Sequence, residues 1–200
     1  MKKLNNFLLA MVMPLMLLMI NPVHADGLSV THNIQVKDED NNIVTEFDFE
    51  IGEWRRGIMA VAIDSVGRIR YDLGSKAPQV GYWDKDGRMR LDCSSYVSWV
   101  LDTVFDTGHM EFTTATLPDF YNLKEINHSE LKPGDLGFRA IPGTKSNHVG
   151  IYAGKNKEGH DMWIHCSSVQ NNIGTVLNDV EEFHYYYSVD SIIKKYGKEG

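Results

Sequence analysis

Residues 89–105 read MRLDCSSYVSWVLDTVF, and Cys93, one of only two cysteines in the chain, stands directly before an amphipathic run. Val97, Val100, Leu101, Val104 and Phe105 recur at helical spacing, which predicts a helix with one buried face. Cys93 then falls in the first turn of that helix. There the unpaired N–H groups and the positive end of the helix dipole favour thiolate over thiol. Three roles are open to such a residue: half of a disulfide, a small packing side chain, or a nucleophile.

Upstream, WRRGIMAVAIDSV (54–66) places Ile58, Ala62 and Val66 on one face, with Val61 adjoining, as a second amphipathic helix would. The intervening RIRYDLGSKAPQVGYWDKDGRMR (68–90) mixes glycine, proline and charge and reads as a loop. Downstream, 106–130 is polar and irregular, with a short helix expected near Leu117–Leu123. LKPGDLGFRA (131–140) then supplies Pro133-Gly134, the preferred centre of a type II turn, leading into a strand. NHVGIYAG (147–154) and DMWIHCSS (161–168) read as consecutive antiparallel strands across a polar turn, and TVLNDVEEFHYYYSVDSII adds one or two more. Helices come first and strands later, so the expected class is α+β rather than alternating βαβ.

Strand parity bears on the cysteine. Period-two alternation puts His148, Gly150 and Tyr152 on one face and Val149, Ile151 and Ala153 on the other. On the next strand Trp163 and His165 share a face, while Met162, Ile164 and Cys166 take the opposite one. If His165 faces a site shared with Cys93, then Cys166 turns toward packing and a Cys93–Cys166 bridge becomes geometrically awkward. A cysteine, then a histidine on a strand, then a polar residue on the adjacent strand is the order a cysteine hydrolase requires. The remaining histidines, including His109, His160 and His184, carry no contextual signal, and Tyr96 and Trp99 read as helix packing.

The chain ends frame this region. The first 25 residues carry Lys2 and Lys3, an apolar stretch from about Phe7 to Ile20 broken by Pro14, and Val23-His24-Ala25. They read as a secretory signal cut before Asp26, too short to remain as a membrane span. No cysteine near the cut suggests lipid attachment. Without that segment 18 basic side chains face 27 acidic ones, a formal charge of about −9, which argues against nucleic acid or an anionic membrane as main partner. Residues 26–52 read as a hairpin appendage around Asp40-Asn41-Asn42. Its acidic cluster is not an EF-hand, because Ile43 and Phe49 stand where glycine and glutamate are required. Residues 53–200 form the main domain.

In order and spacing, LDCSSYVSWVL, LKPGDLGF, HVGIYAG and MWIHCSS resemble the motifs of the NlpC-type family of cell-wall cysteine peptidases, over roughly residues 54–195. The resemblance implies a papain-like α+β fold with N-terminal helices packed on a small antiparallel sheet. It implies Cys93 as nucleophile, His148 as general base and then acid, and His165 as the residue that orients His148. It also implies a tyrosine assisting the oxyanion and substrate backbone, with Tyr71 in YDLGS the match and Tyr82 its rival. Asp92 matches an aspartate that holds the amino end of a stem peptide, and Ser94 and Ser95, directly after the nucleophile, are implied with Tyr71 and Asp92 as oxyanion or substrate-binding residues. Ser95 replaces the family's usual glycine and is where substrate preference is expected to differ, while Cys166 replaces alanine.

The implied activity is hydrolysis of a peptidoglycan stem-peptide amide, the D-γ-glutamyl–diamino acid bond, by a secreted, wall-associated monomer that needs neither metal nor organic cofactor. The alternatives are an N-acetylmuramoyl-L-alanine amidase using the same triad and a non-catalytic wall-binding module.

Overall fold

The computed structural model describes residues 32–37, 43–49, 52–75, 89–107, 112–168 and 174–197, the first two segments as backbone only. The signal-like segment, the 38–42 turn, Tyr82 and His109 lie outside them. Within residues 26–52 the expected strand pair is present: β1 (His32–Lys37) pairs antiparallel with β2 (Ile43–Phe49), in a register that aligns Asn33 with Asp48 and slips between Val36 and Lys37.

Two helices precede the main sheet, as the apolar spacing predicts. Helix α1 (Glu53–Asp64) buries Ile58, Met59 and Ala62. Between the helices the sequence reading expects only loop, and the structure differs: β3 (Ile69–Tyr71) and β4 (Met89–Leu91) form a two-stranded parallel ladder. Three-residue strands are too short to show alternation in sequence. Helix α2 (Cys93–Phe105) buries Val97, Val100, Leu101 and Phe105, and each such side chain contributes about 1.5–3 kcal/mol relative to leaving it in water. It stops at Asp106, which takes the left-handed conformation with φ 50°.

After α3 (Leu117–Tyr121), the chain adds β5 (Lys124–Ile126), β6 (Leu136–Phe138), β7 (Val149–Lys155), β8 (Asp161–Ser167), β9 (Gly174–Asn178), β10 (Tyr185–Ser188) and α4 (Asp190–Tyr196). The six strands make an antiparallel sheet in the order β5-β10-β6-β7-β8-β9. The α+β class and the helices-then-sheet order match the sequence reading. Helix α4 was not foreseen, although Val189, Ile192, Ile193 and Tyr196 carry helical spacing and join the core.

Both faces of the sheet are covered, and strand parity assigns each side chain to its layer. Val149, Ile151, Ala153, Met162, Ile164 and Cys166 enter the main core with α1 and α2. Tyr152 and Trp163 turn to the other face and pack with Phe183. That second layer leaves almost no room: a Cβ on Gly150 would lie 2.8 Å from the Phe183 ring, and one on Gly137 would lie 2.5 Å from Trp163.

The Pro133-Gly134 turn forms as expected. Gly134 has φ +94°, and the Asp135 N–H donates to the Lys132 carbonyl at 3.0 Å. Asp135 is 1% exposed and accepts from the backbone N–H groups of Lys132 and Val189 at 2.8 and 3.1 Å. Arg55 of α1 pairs with it at 2.9 Å and also donates to the Pro133 carbonyl and to Asp190. One guanidinium thus ties α1, the turn and the start of α4 together.

Candidate active site

The site grows from the start of α2. Asp92 is the N-cap, and its Oδ1 accepts from the Ser95 N–H at 2.8 Å and the Ser94 hydroxyl at 3.0 Å. This satisfies one of the donors that every helix start leaves open. Cys93 follows as the first helical residue and is 8% exposed. The backbone N–H groups of Val149, Ser94 and Cys93 itself face its thiol and favour the thiolate. Burial outweighs them, with the Asp92 carboxylate adding to it, so the thiol pKa is raised. The helix dipole and backbone donors are legible in the sequence, whereas this desolvation exists only in the assembled fold.

His148 sits one residue before β7 rather than within it, 7% exposed, and His165 lies on β8, 2% exposed. His148 Nε2 and His165 Nδ1 are 2.7 Å apart, and the Phe183 ring stacks on His148 at 5.7 Å. Burial, then the neighbouring His165 and Arg139, push the His148 pKa down to about 3. Burial also lowers His165, against opposing pulls from Asn178 and Glu182. Both rings are therefore neutral near pH 7.

Neutrality makes the tautomers deducible. Asn178, at the end of β9, presents Oδ1 to His165 Nε2 at 2.9 Å. An amide oxygen only accepts, so His165 Nε2 carries the proton and its Nδ1 holds a lone pair. His148 Nε2–H then donates to that lone pair. In that tautomer the lone pair of His148 is on Nδ1, which can take a proton.

Asn178, Glu182 and Arg139 also meet the histidines and are not among the residues expected from sequence. Glu182 Oε1 lies 3.8 Å from both His148 Nε2 and His165 Nδ1, and its other oxygen meets Arg139 at 3.4 Å. The two imidazoles and this carboxylate form a group that could hold a metal ion. Asn178 could have been found from strand register, since it pairs with Trp163 two residues from His165. Glu182 and Arg139 come from irregular segments that no periodicity reaches.

Of the other expected residues, Tyr71 ends β3 beside Leu91 of β4, and burial together with Cys93 and Asp92 raises its pKa, which places it within their field. Asp92, Ser94 and Ser95 are all turned inward, at 5%, 3% and 1% exposure. The Ser95 hydroxyl has no hydrogen-bond partner among the described residues and is sealed from solvent. Any influence of Ser95 on substrate choice therefore acts through the position of the helix start. Cys166 is a free thiol in the main core, where it donates to the Leu91 carbonyl at 3.4 Å, and Cys93 is also free, although the two share the same core cluster and lie within each other's field rather than on separate faces as strand parity led one to expect. A depression of about 370 Å³ lies toward the far edge of the sheet, lined by Lys124, Glu130, Lys132 and Asp190 among others, and includes none of the Cys93, His148 and His165 set.

A family model described as the NlpC/P60 family matches residues 67–189, a span that holds Cys93, both histidines and Asn178. The chain belongs to the NlpC/P60 family. Among its NlpC/P60 relatives is a protein of Haemophilus influenzae described as a probable endopeptidase NlpC homolog. It is 32% identical over 95 residues, which span 48% of this chain and 44% of the relative. A solved NLP/P60 structure from Staphylococcus aureus, described as similar to lipoprotein, aligns with 74% of this chain and 45% of its own, at 21% identity and a TM-score of 0.46. The chain thus spans less than half the length of either protein. Among the described residues no helix is long and apolar enough to cross a membrane.

Proposed function

We infer that this NlpC/P60 protein is a secreted, wall-associated peptidoglycan hydrolase that cleaves a stem-peptide amide through Cys93, His148 and His165. The observation that carries the reading is the ordered relay from Asn178 through His165 to His148, which puts the lone pair of His148 on Nδ1. Membership of the family and the endopeptidase description of the Haemophilus influenzae relative support it. The bond assigned is the one between D-γ-glutamate and the following diamino acid, and this assignment rests on the family resemblance.

The chemistry follows from the protonation states. A raised thiol and a lowered imidazole disfavour a resting thiolate–imidazolium pair. His148 Nδ1 therefore takes the Cys93 proton as the sulfur attacks the amide carbonyl, rather than beforehand. Backbone N–H groups at the start of α2 hold the developing oxyanion, with Tyr71 assisting. His148 returns the proton to the leaving amine. Water then adds to the thioester, giving its proton to His148, and the tetrahedral intermediate expels Cys93 to release the acid.

Mass analysis of digested peptidoglycan tests the bond. New amino groups on the diamino acid are expected. Free lactyl carboxyls would make the enzyme an amidase instead, and no new termini with intact walls would leave only a binding module. The relay has its own test in Asn178→Leu, which frees His165 to adopt the wrong tautomer. We expect kcat to fall about 100-fold, the lower end of what positioned acid–base catalysis contributes, with KM and the folded-state circular dichroism unchanged. Asn178→Asp keeps the acceptor and should recover part of the rate.

A further inference from the structure

We propose that His148, His165 and Glu182 form a zinc site and that zinc bound there holds the hydrolase inactive. The inhibitory part rests on the function inferred above, whereas the site itself does not. The ligand atoms His148 Nε2, His165 Nδ1 and Glu182 Oε1 are separated by 2.7, 3.8 and 3.8 Å. A point about 2.0 Å from all three exists, which is the length of a zinc–nitrogen or zinc–carboxylate bond. A tetrahedral site with water in the fourth position needs each ligand pair about 3.3 Å apart, so the histidine pair opens by about 0.6 Å and Glu182 Oε1 closes on both rings by about 0.5 Å.

The donor set also argues for zinc. Two imidazoles and one carboxylate suit this borderline ion better than magnesium or calcium, which prefer oxygen throughout. Asn178 already performs a supporting role, since it accepts from the far nitrogen of His165 and so directs the Nδ1 lone pair at the site. Glu182 is held by Arg139 through its other oxygen, leaving Oε1 facing the histidines. Its side chain is 27% exposed, which gives the ion a way in past two histidines that are nearly closed off.

Inhibition follows from proton bookkeeping on one ring. Zinc needs a lone pair on His148 Nε2, where the resting enzyme carries a proton. An imidazole bound to zinc through Nε2 keeps its one remaining proton on Nδ1, the nitrogen that must accept from Cys93. Zinc therefore holds His148 in the form that cannot act as base.

Titration of the purified protein with zinc, and with cobalt as a spectroscopic probe, tests the site without any substrate. Wild type and Cys93→Ala should both bind one equivalent with the same affinity, and the cobalt spectrum should lack a thiolate charge-transfer band. Glu182→Gln should bind at least about ten-fold more weakly, the least that losing even an outer partner costs. His165→Asn, a second variant, should weaken binding likewise, with circular dichroism confirming that both are folded. Loss of binding in Cys93→Ala, a thiolate band, unchanged affinity in Glu182→Gln, or no saturable binding by wild type would each overturn the site. Wall digestion that rose on adding zinc would overturn the inhibitory role. Failure of the peptidoglycan digest with the zinc titration intact would sink the functional reading and leave the site standing.

Discussion

Wall digestion by Cys93→Ala is expected to fall by on the order of 10⁴-fold or more, the loss that follows removal of a covalent nucleophile. Release of soluble fragments from purified walls measures it. The argument is stricter for Cys93→Ser. The serine keeps nearly the same shape against the Val149, Ser94 and Cys93 N–H groups, so folding should be intact. Yet His148, with its pKa held near 3, is a weak base and an alcohol is a far weaker acid than a thiol. Serine should therefore be nearly as inactive as alanine. Substantial residual activity in either variant would remove Cys93 from the chemistry.

The largest stability effect should come from Arg55→Met. Asp135 keeps its two backbone donors but loses the cation paired with it at a position 1% exposed. Breaking such a buried pair from one side costs about 3–5 kcal/mol, a large share of the roughly 5–15 kcal/mol that holds a domain together. Urea denaturation followed by tryptophan fluorescence should show the lowered midpoint. Adding Asp135→Asn should restore part of it, because the amide oxygen still accepts from a backbone N–H while the stranded charge is gone. Equal stability of Arg55→Met and wild type would show that the pair does not stabilise the fold.

Much of this architecture was legible because two periodicities run through the sequence without conflict. The 3.6-residue spacing locates α1 and α2, and the two-residue spacing separates Val149, Ile151 and Cys166 from His165 and Trp163. Parity was informative because both faces of this sheet are packed, so each side chain has a definite layer to enter. Elements too short to repeat escaped: β3, β4 and β5 have three residues each, and α4 has seven. The candidate site divides the same way. Cys93, His148 and His165 stand in motif contexts, whereas Asn178 and Glu182 reach the histidines through strand register and chain path, which composition does not encode. The balance between helix-start donors and burial at Cys93 was also out of reach, because desolvation is a property of the assembled fold.

The main-chain donors facing the Cys93 sulfur have a genetic consequence. No codon change at Val149 or Ser94, short of one to proline, deletes an N–H group, so this part of the electrostatic environment is transmitted with the fold itself. Side chains around the thiol have no such protection and can drift. The sulfur's setting stays fixed as long as α2 begins where β7 begins beside it.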